Sequence, residues 1–552
     1  MEAFLSLNDR KLQLLLVFIA GCLFIPFLGE AHLFDWDEIN FAEAAREMVV
    51  TGNYSTVQID YQPFWEKPPL FFWMQALSMK LFGINEFASR FPNALCGILT
   101  ILLLFRYGRL FKGRRTGLLW AMLYMASLLP HFYFKSGIID PWFNLFIFIG
   151  MAELVKGIQA IEHKTPWMRS IIFSAVATGL AVMTKGPVGL LIVLMVFGAW
   201  WAFSRFKLFF NWKHITLYAL VFLFTGSIWF LIEILNGRMY IVQDFIDYQV
   251  RLFNTQDAGH GGPFFYHWIV LLVGCFPASI FFINGLIPQF KRYASKPIFV
   301  KWMILCFWLV LLLFSIVKTK IVHYSSMCYF PITYLAAVEL DAILKGERRF
   351  ALTPRIFYWT IGAALGLLLL FFSQVENLKD NFTEWGLVKD EFGKASLQAS
   401  ANWHGFEFMA GLLFILGFVF LYLFVRKQRF LLPAIGSAAI AIVLSAWWLA
   451  PNVEAYSQRA AIEFYEDHAQ EECLIYPIGF KSYAHLFYSE KQPGLGKYGH
   501  SSEEVLQYPG EFDIPVYFVG KIQQKKEHLN TGRLEVLYEK NGFVFYEVAS
   551  SF

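Results

Sequence analysis

The sequence predicts an α-helical polytopic membrane protein that ends in a small α/β domain. Apolar residues make up 57% of the 552 residues and charged residues only 16%, whereas soluble globular proteins have roughly 45–50% and 25%. Long apolar runs recur up to residue 450, and shorter apolar runs alternate with polar turns after it. The chain therefore places most of its core in lipid and a smaller core in water.

Thirteen apolar runs are long enough to cross about 30 Å of hydrocarbon as helices. They cover residues 11–29, 88–106, 116–134, 141–156, 169–184, 187–204, 214–235, 266–287, 298–317, 325–342, 353–374, 405–425 and 429–450. The loops 106–115, 289–296 and 345–349 are strongly basic, which places them and the N-terminus in the cytoplasm. An odd number of spans then puts the C-terminus outside.

The composition also excludes several classes of function. The net charge of +4 balances 46 basic against 42 acidic residues, so nothing indicates a nucleic-acid partner. Five of the six cysteines lie in apolar runs. They predict small core residues and neither a disulfide framework nor a thiolate metal site.

Two domains follow from these patterns. Residues 1–451 form the transmembrane domain, with a first outer loop at 30–67 and a second large outer loop at 236–265. Residues 452–552 form an extracytoplasmic α/β domain. In it, RAAIEFYEDH predicts a helix, CLIYPI and IPVYFVG predict strands, and Asn541-Gly542 predicts the tight turn of a hairpin.

The first outer loop begins with the acidic stretch FDWDEINFAEAAREM. Apolar and polar residues separate on two faces over 38–50, which predicts an amphipathic helix at the membrane interface. Asp35 and Glu38 have the spacing of a capping box. Two interpretations of Asp37 remain: it is a further helix cap, or it is an anion that acts as a base on a substrate arriving from the lipid.

Basic residues are scarce on the outer side, yet four lysines are predicted there. Lys67 precedes a rigid Pro-Pro pair, Lys185 lies in a Lys-Gly-Pro turn, and Lys318 and Lys320 precede His323 and Tyr324. Each lysine alone could extend from a helix end to the membrane surface. Together they favour an outward-facing cavity that binds a lipid phosphate. Asp140, at the outer start of the fourth span, is either a helix cap or a second carboxylate of that cavity.

The motif Asp37-Glu38-x-x-Phe41-Ala42-Glu43-x-x-Arg46-Glu47-Met48, followed by Glu66-Lys67-Pro68-Pro69, resembles a known family. It is similar to the first outer loop of the bacterial lipid-to-lipid glycosyltransferases typified by the aminoarabinose transferase of lipid A. These enzymes and the protein O-mannosyltransferases belong to the GT-C superfamily, which uses polyprenyl-phosphate sugars. The resemblance extends over roughly residues 10–335.

The resemblance implies sugar transfer, with inversion, on the outer face of a bacterial inner membrane. The donor would be a sugar on undecaprenyl phosphate, and the acceptor a lipid A-like, glycan or protein group. The catalytic carboxylate of the family falls on Asp37, a second carboxylate on Asp140 and the phosphate-binding lysine on Lys67. Glu38, Glu43 and Arg46 are supporting residues of the motif.

No cofactor is required by the resemblance, although some relatives hold a divalent metal for which Glu66 and His260 are the candidate ligands. The chain also departs from the family, because Asn40 and Phe41 stand where Arg and Tyr are common. The lost arginine leaves Lys185, Lys318, Lys320, His323 and Tyr324 as the other candidate contacts to the donor phosphate.

Two alternatives to an enzyme remain from the sequence. A lipid or ion transporter or flippase would also have many spans, but it would place charges near mid-membrane, whereas here they cluster at one outer edge. A structural subunit of an envelope complex would not need such a cluster.

Overall fold

The structure is a computed structural model that describes residues 2–254, 261–291, 293–426, 431–469, 471–495, 500–507 and 512–549. It is predominantly helical, with a small four-stranded sheet near its C-terminal end. The predicted helical membrane fold and the C-terminal sheet are confirmed at this level.

Within the described ranges, seven helices are long and apolar enough to cross a membrane. They are Glu86–Phe111, Asp140–Glu162, Trp212–Leu235, Ile298–Ile316, Val322–Leu344, Leu352–Phe372 and Gly436–Ala455. Two bent helix pairs raise this number to nine if each is one span: Arg114–Met125 with Leu128–Lys135, and Tyr266–Gly274 with Ala278–Pro288. Every predicted apolar run overlaps a helix or a bent pair, and the count of thirteen crossings stays a prediction.

The remaining helices are shorter or more polar. The shorter apolar helices are Leu70–Phe82, Val188–Phe203 and Phe408–Phe424. The others are Glu2–Ser6, Asp9–Phe24, Asp37–Thr51, Met168–Lys185, Met239–Asn254, Val375–Glu384, Glu391–Ser396, Arg459–Asp467, Ala484–Tyr488, Ser502–Gln507 and Lys525–Leu529. The helix Met239–Asn254 occupies most of the stretch that the sequence presented only as an outer loop.

Small residues bring the transmembrane helices into close contact. Gly108 and Gly117 face each other where Glu86–Phe111 packs on Arg114–Met125, and a Cβ on Gly117 would lie 2.5 Å from the carbonyl oxygen of Phe105. A larger residue would clash at this distance. Such close packing is what holds helices together in lipid, because lipid supplies little hydrophobic driving force between them.

The C-terminal sheet has four strands. Leu474–Ile478 pairs in parallel with Val516–Lys521, which pairs antiparallel with Phe543–Val548, and this strand pairs antiparallel with Leu534–Lys540. Asn541 and Gly542 both have positive φ, 50° and 85°, as a two-residue hairpin turn requires. The predicted helix, strands and hairpin are therefore confirmed.

The helix Asp37–Thr51, called here the first-loop helix, differs from its prediction. Every residue from Glu38 to Met48 is buried, so its polar face does not point to water or lipid headgroups. The C-terminal segment covers that face: Arg46 donates to the carbonyl oxygen of Lys491 at 2.9 Å, and Tyr61 donates to the same oxygen at 2.5 Å. The predicted helix over 38–50 is confirmed. Its polar face is buried, however, because residues more than 400 positions away cover it.

Buried carboxylates on the first-loop helix make stability depend on pH. Arg46 binds Glu43 through two hydrogen bonds of 2.7 Å, while Glu47 accepts from the backbone N–H of Tyr61 at 2.9 Å. Burial, with the charge of Glu43, raises the pKa of Glu47 to about 9. The folded protein thus keeps a proton on Glu47 that the unfolded chain releases near pH 4.5, so stability falls as pH rises from 4.5 towards 9.

We expect Glu47→Gln to remove this pH dependence, because the amide resembles the protonated carboxyl. The thermal unfolding midpoint of the variant should exceed that of the wild type at pH 8.5, and the difference should disappear as the pH falls to 4.5. Glu535→Gln, which changes an exposed carboxylate, is the control and should change neither midpoint. Equal loss of stability in Glu47→Gln at both pH values would contradict the assignment.

Candidate active site

Asp37 is the first residue of the first-loop helix, and its side chain is 35% exposed. The predicted capping box does not form, because Trp36 is the N-cap residue and makes no side-chain capping hydrogen bond. Asp35 is exposed and offers its backbone N–H to Gln458. Asp37 is thus the first helical residue and not the N-cap, and its carboxylate stays accessible at the helix start.

Glu38 fixes the start of the same helix to the transmembrane body. Arg90, near the outer end of Glu86–Phe111, donates to both carboxylate oxygens of Glu38 at 2.9 and 3.0 Å. The backbone N–H groups of Phe34 and Gly137 also donate to this carboxylate. Burial would raise the pKa of Glu38, but the charge of Arg90 and these hydrogen bonds outweigh it and lower the pKa.

His323 lies between the two predicted carboxylates. Its Nε2 is 3.4 Å from Oδ2 of Asp37 and 3.9 Å from Oδ2 of Asp140. His323 belongs to the 3₁₀ turn Val322–Cys328, which Asn144 anchors by donating to Ser326 at 2.7 Å. The structure thus brings Asp37, Asp140 and His323 together, although the sequence had placed His323 on the donor phosphate.

Lys185 is bound to the second carboxylate. Its Nζ donates to Oδ1 of Asp140 at 2.7 Å and lies 5.4 Å from the centre of the Tyr324 ring. Asp140 is the first residue of the helix Asp140–Glu162, and its carboxylate is also the ion-pair partner of Lys185. Gly186, at φ 101°, allows the turn that points Lys185 back toward Asp140, since other residues rarely adopt this backbone conformation.

Lys67 completes the cluster from the first outer loop. Its Nζ is 3.8 Å from Glu66 and 4.9 Å from the centre of the Tyr248 ring, which the helix Met239–Asn254 supplies. Burial lowers the pKa of Lys67, the charge of Glu66 raises it, and the charge of Lys185 lowers it further. Lys67 therefore lies within electrostatic reach of the carboxylates and of a second cation.

The site so built contains two cations, two carboxylates and one imidazole at one end of the helix bundle. Lys67 and Lys185 can bind an anionic phosphate. Of the two carboxylates, Asp37 is the more exposed, because its side chain is 35% exposed and that of Asp140 only 4%. The arrangement can therefore hold a phosphate ester while a neighbouring carboxylate accepts a proton.

Other predicted residues lie outside this cluster or serve another role. The ammonium of Lys320 donates to the carbonyl oxygens of Phe314, Ser315 and Val317 at 2.6–2.9 Å. Its three donors are thus used to close the end of the helix Ile298–Ile316, which argues against a phosphate contact. Lys318 is exposed in the same loop.

The supporting residues of the motif also take structural roles. Glu43 and Arg46 bind each other beneath the C-terminal segment. Asn40 is 4% exposed, and its amide lies against Trp36 at 3.1–3.2 Å, so it does not replace the missing arginine of the family. His260 lies outside the described residues.

Sequence reasoning missed the partners that come from the C-terminal segment. Gln458 donates to the carbonyl oxygen of Leu33 at 2.7 Å, and the Tyr488 hydroxyl accepts from the Leu33 N–H at 2.7 Å. Lys481 lies 4.8 Å from the centre of the Trp36 ring. These contacts hold the chain just before Asp37, and no local pattern marks residues so distant in sequence.

The fold of this chain is similar to that of solved membrane transferase structures. The chain matches the crystal structure of ArnT from Cupriavidus metallidurans bound to undecaprenyl phosphate with a TM-score of 0.75 and 18% sequence identity. The match covers 99% of this chain and 99% of that one. The chain also resembles the archaeal oligosaccharyltransferase AglB from Archaeoglobus fulgidus, with a TM-score of 0.56 at 10% identity, covering 99% of this chain and 75% of that one.

Sequence comparisons point to the same group. The profile of the dolichyl-phosphate-mannose-protein mannosyltransferase family matches residues 66–229. An undecaprenyl phosphate-α-4-amino-4-deoxy-L-arabinose arabinosyl transferase of Pectobacterium carotovorum is 29% identical over 363 residues, which cover 65% of this chain and 64% of the relative. Slightly less than two thirds of the relative is thus matched. The sequence comparisons and the fold therefore agree with the resemblance carried by the first outer loop.

Proposed function

We propose that the protein transfers a sugar, with inversion, from undecaprenyl phosphate to a lipid A-like, glycan or protein acceptor on the outer face of the bacterial inner membrane. The observation that carries this proposal is the meeting of Asp37 and Asp140 at His323, beside Lys67 and Lys185. The name of the arabinosyl transferase relative and the undecaprenyl phosphate in the related crystal structure support the choice of donor.

The donor phosphate would bind to Lys67, Lys185 and Tyr324. The acceptor oxygen attacks the anomeric carbon from the face opposite the phosphate, and the bond between that carbon and the phosphate oxygen breaks. Asp37 takes the acceptor proton as general base. The leaving group departs as lipid phosphate, whose growing charge the two lysines stabilise. The phosphate is already anionic, so cations serve it better than a proton donor.

Asp140 and His323 act as positioning residues in this mechanism. Asp140 holds Lys185 at 2.7 Å, and His323 contacts both carboxylates, so it limits the orientations that Asp37 can adopt. Tyr248 lies over Lys67 and helps to exclude water from it. No step requires a cofactor; a divalent metal at Glu66 and His260 stays a prediction.

The same proposal includes the placement of the chain in the membrane. The thirteen spans, the cytoplasmic N-terminus, the domain boundary at 451 and the extracytoplasmic C-terminal domain fit a site that opens outward. The helices that carry Asp140, Lys185 and His323 present these residues at one end of the bundle, where a lipid-linked donor and a second lipid can meet.

Lys67→Ala tests the proposal through donor binding. We expect the purified variant to bind undecaprenyl phosphate at least tenfold more weakly and to release radiolabelled sugar from a polyprenyl phosphate about 10²–10⁴ times more slowly, since one stabilising cation has been removed. Wild-type affinity should also fall as pH rises through the Lys67 pKa, which burial holds below 10.5.

Lys80→Ala is the matched control, because Lys80 lies exposed on the next helix, Leu70–Phe82. It should keep normal binding and turnover. Normal turnover in Lys67→Ala would contradict the proposal. Substrate-dependent movement of lipid or ions across vesicles, without sugar transfer, would favour a transporter instead.

A further inference from the structure

A second cluster of polar side chains lies where the C-terminal segment meets the first outer loop. It contains His32 from that loop, Glu86 from the first turn of Glu86–Phe111, and Glu466 from the helix Arg459–Asp467. One nitrogen or oxygen from each of these residues lies within 4.8 Å of the others. Three separate parts of the chain thus direct metal-ligating atoms to one point.

His32 is already oriented for ligation. Its Nδ1 is 3.1 Å from Oε1 of Glu454, and its Nε2 faces Oε1 of Glu466 at 3.8 Å. Glu454 is fully buried, and Arg459 donates to its other oxygen at 2.6 and 2.9 Å. A carboxylate that holds one imidazole nitrogen while the other faces a metal is the usual environment of a histidine ligand.

The cluster carries more negative than positive charge. Burial raises the pKa of Glu466, His32 lowers it, and the charges of Glu86, Glu463 and Asp467 raise it again. Glu86 accepts a hydrogen bond of 3.1 Å from Tyr488, which also binds the backbone of Leu33. A divalent cation would neutralise this excess of negative charge.

We propose that His32, Glu86 and Glu466 bind one divalent transition-metal ion, for which zinc is the best match. One imidazole nitrogen and two carboxylate oxygens form a common zinc donor set, with water as a fourth ligand. Zinc bonds of about 2.0–2.2 Å require the donor atoms to approach slightly. Glu466 can supply this movement, because its side chain is 47% exposed and open to the outer solution.

The ion would act as a clamp on the catalytic loop. His32 lies five residues before Asp37, and Gln458 and Tyr488 bind the backbone of Leu33 between them. A metal shared by His32 and Glu466 would therefore tie the C-terminal segment to the chain that positions Asp37. This site is separate from the predicted pair Glu66 and His260 and does not depend on the proposed sugar transfer.

The test is calorimetric titration of the full-length, chelator-stripped protein in detergent with zinc chloride, repeated with manganese chloride. We expect the wild type to bind one zinc ion per chain at this site. Glu466→Gln and His32→Gln should each lower the zinc affinity of the site at least 10- to 100-fold. Glu463→Gln is the matched control, since Glu463 lies on the same helix and binds Lys540 instead. It should bind zinc as the wild type does.

A second measurement does not depend on activity. Zinc should slow hydrogen exchange over residues 30–36 and 459–467 in the wild type and in Glu66→Gln, but not in Glu466→Gln. Wild-type zinc affinity in Glu466→Gln, or complete loss of zinc binding in Glu66→Gln, would overturn the proposal. So would a protein that takes up no zinc, in which case His32 serves only as an ion-pair partner of Glu454 and Glu466.

Discussion

Asp37→Asn is expected to lower the turnover of sugar transfer by about 10²–10⁴-fold, since this is what a positioned general base contributes. The asparagine keeps the size of the side chain but cannot accept the acceptor proton. Affinity for undecaprenyl phosphate should change much less, because Lys67 and Lys185 remain. Single-turnover assays with a radiolabelled polyprenyl-phosphate sugar, together with a separate binding measurement, distinguish the two effects.

Asp35→Asn provides the control for this variant. Asp35 is exposed two residues earlier in the same loop, and its loss should leave turnover within a few-fold of the wild type. If Asp37→Asn turned over at the wild-type rate, the base would have to be another group, and Asp140 would be the next to replace. If both variants lost activity equally, the loop as a whole, and not the carboxylate of Asp37, would be responsible.

Arg90→Met is expected to release the first outer loop from the transmembrane body. Arg90 binds Glu38 through two hydrogen bonds and also donates to the carbonyl oxygens of Leu28, Ala31 and His32 at 2.7–2.9 Å. Removing one partner of a buried ion pair costs about 3–5 kcal/mol, because the other charge stays buried without compensation. The protection of the loop's backbone amides against hydrogen exchange should fall by about two to four orders of magnitude.

Hydrogen exchange at residues 28–38 measures this loss directly. Arg109→Met is the control, because Arg109 contacts Asp9 at the other end of the same helix and is 45% exposed, where an ion pair contributes about 1 kcal/mol or less. The double variant Glu38→Gln with Arg90→Met should recover part of the stability, since no unpaired charge remains. Unchanged exchange in Arg90→Met would show that the C-terminal segment alone holds the loop.

Local sequence patterns predicted a large part of the fold. Apolar runs located the helices because burial in lipid demands continuous hydrophobic surface, and Asn541-Gly542 located the hairpin because its turn needs two positive φ angles. The capping box failed because its spacing does not fix the helix start: the helix begins at Asp37, so Asp35 lies before the N-cap residue.

The candidate site was predicted in composition but not in arrangement. The structure does bring together Asp37, Asp140, Lys67, Lys185, His323 and Tyr324 at one end of the helix bundle. Lys320 does not join them, because its ammonium finds three carbonyl oxygens at the end of its own neighbouring helix. A lysine at a helix end looks the same in sequence whether it caps that helix or binds a ligand.

The sequence by itself determined the helical membrane fold and predicted the residues that meet at the candidate site, because hydropathy and charge act through local composition. Only the tertiary structure decided which groups meet. The pairing of His323 with two aspartates, the Glu38–Arg90 anchor and the cover over the first-loop helix join residues from about 50 to more than 400 positions apart. Such contacts depend on how helices pack, and packing is a property of the whole chain.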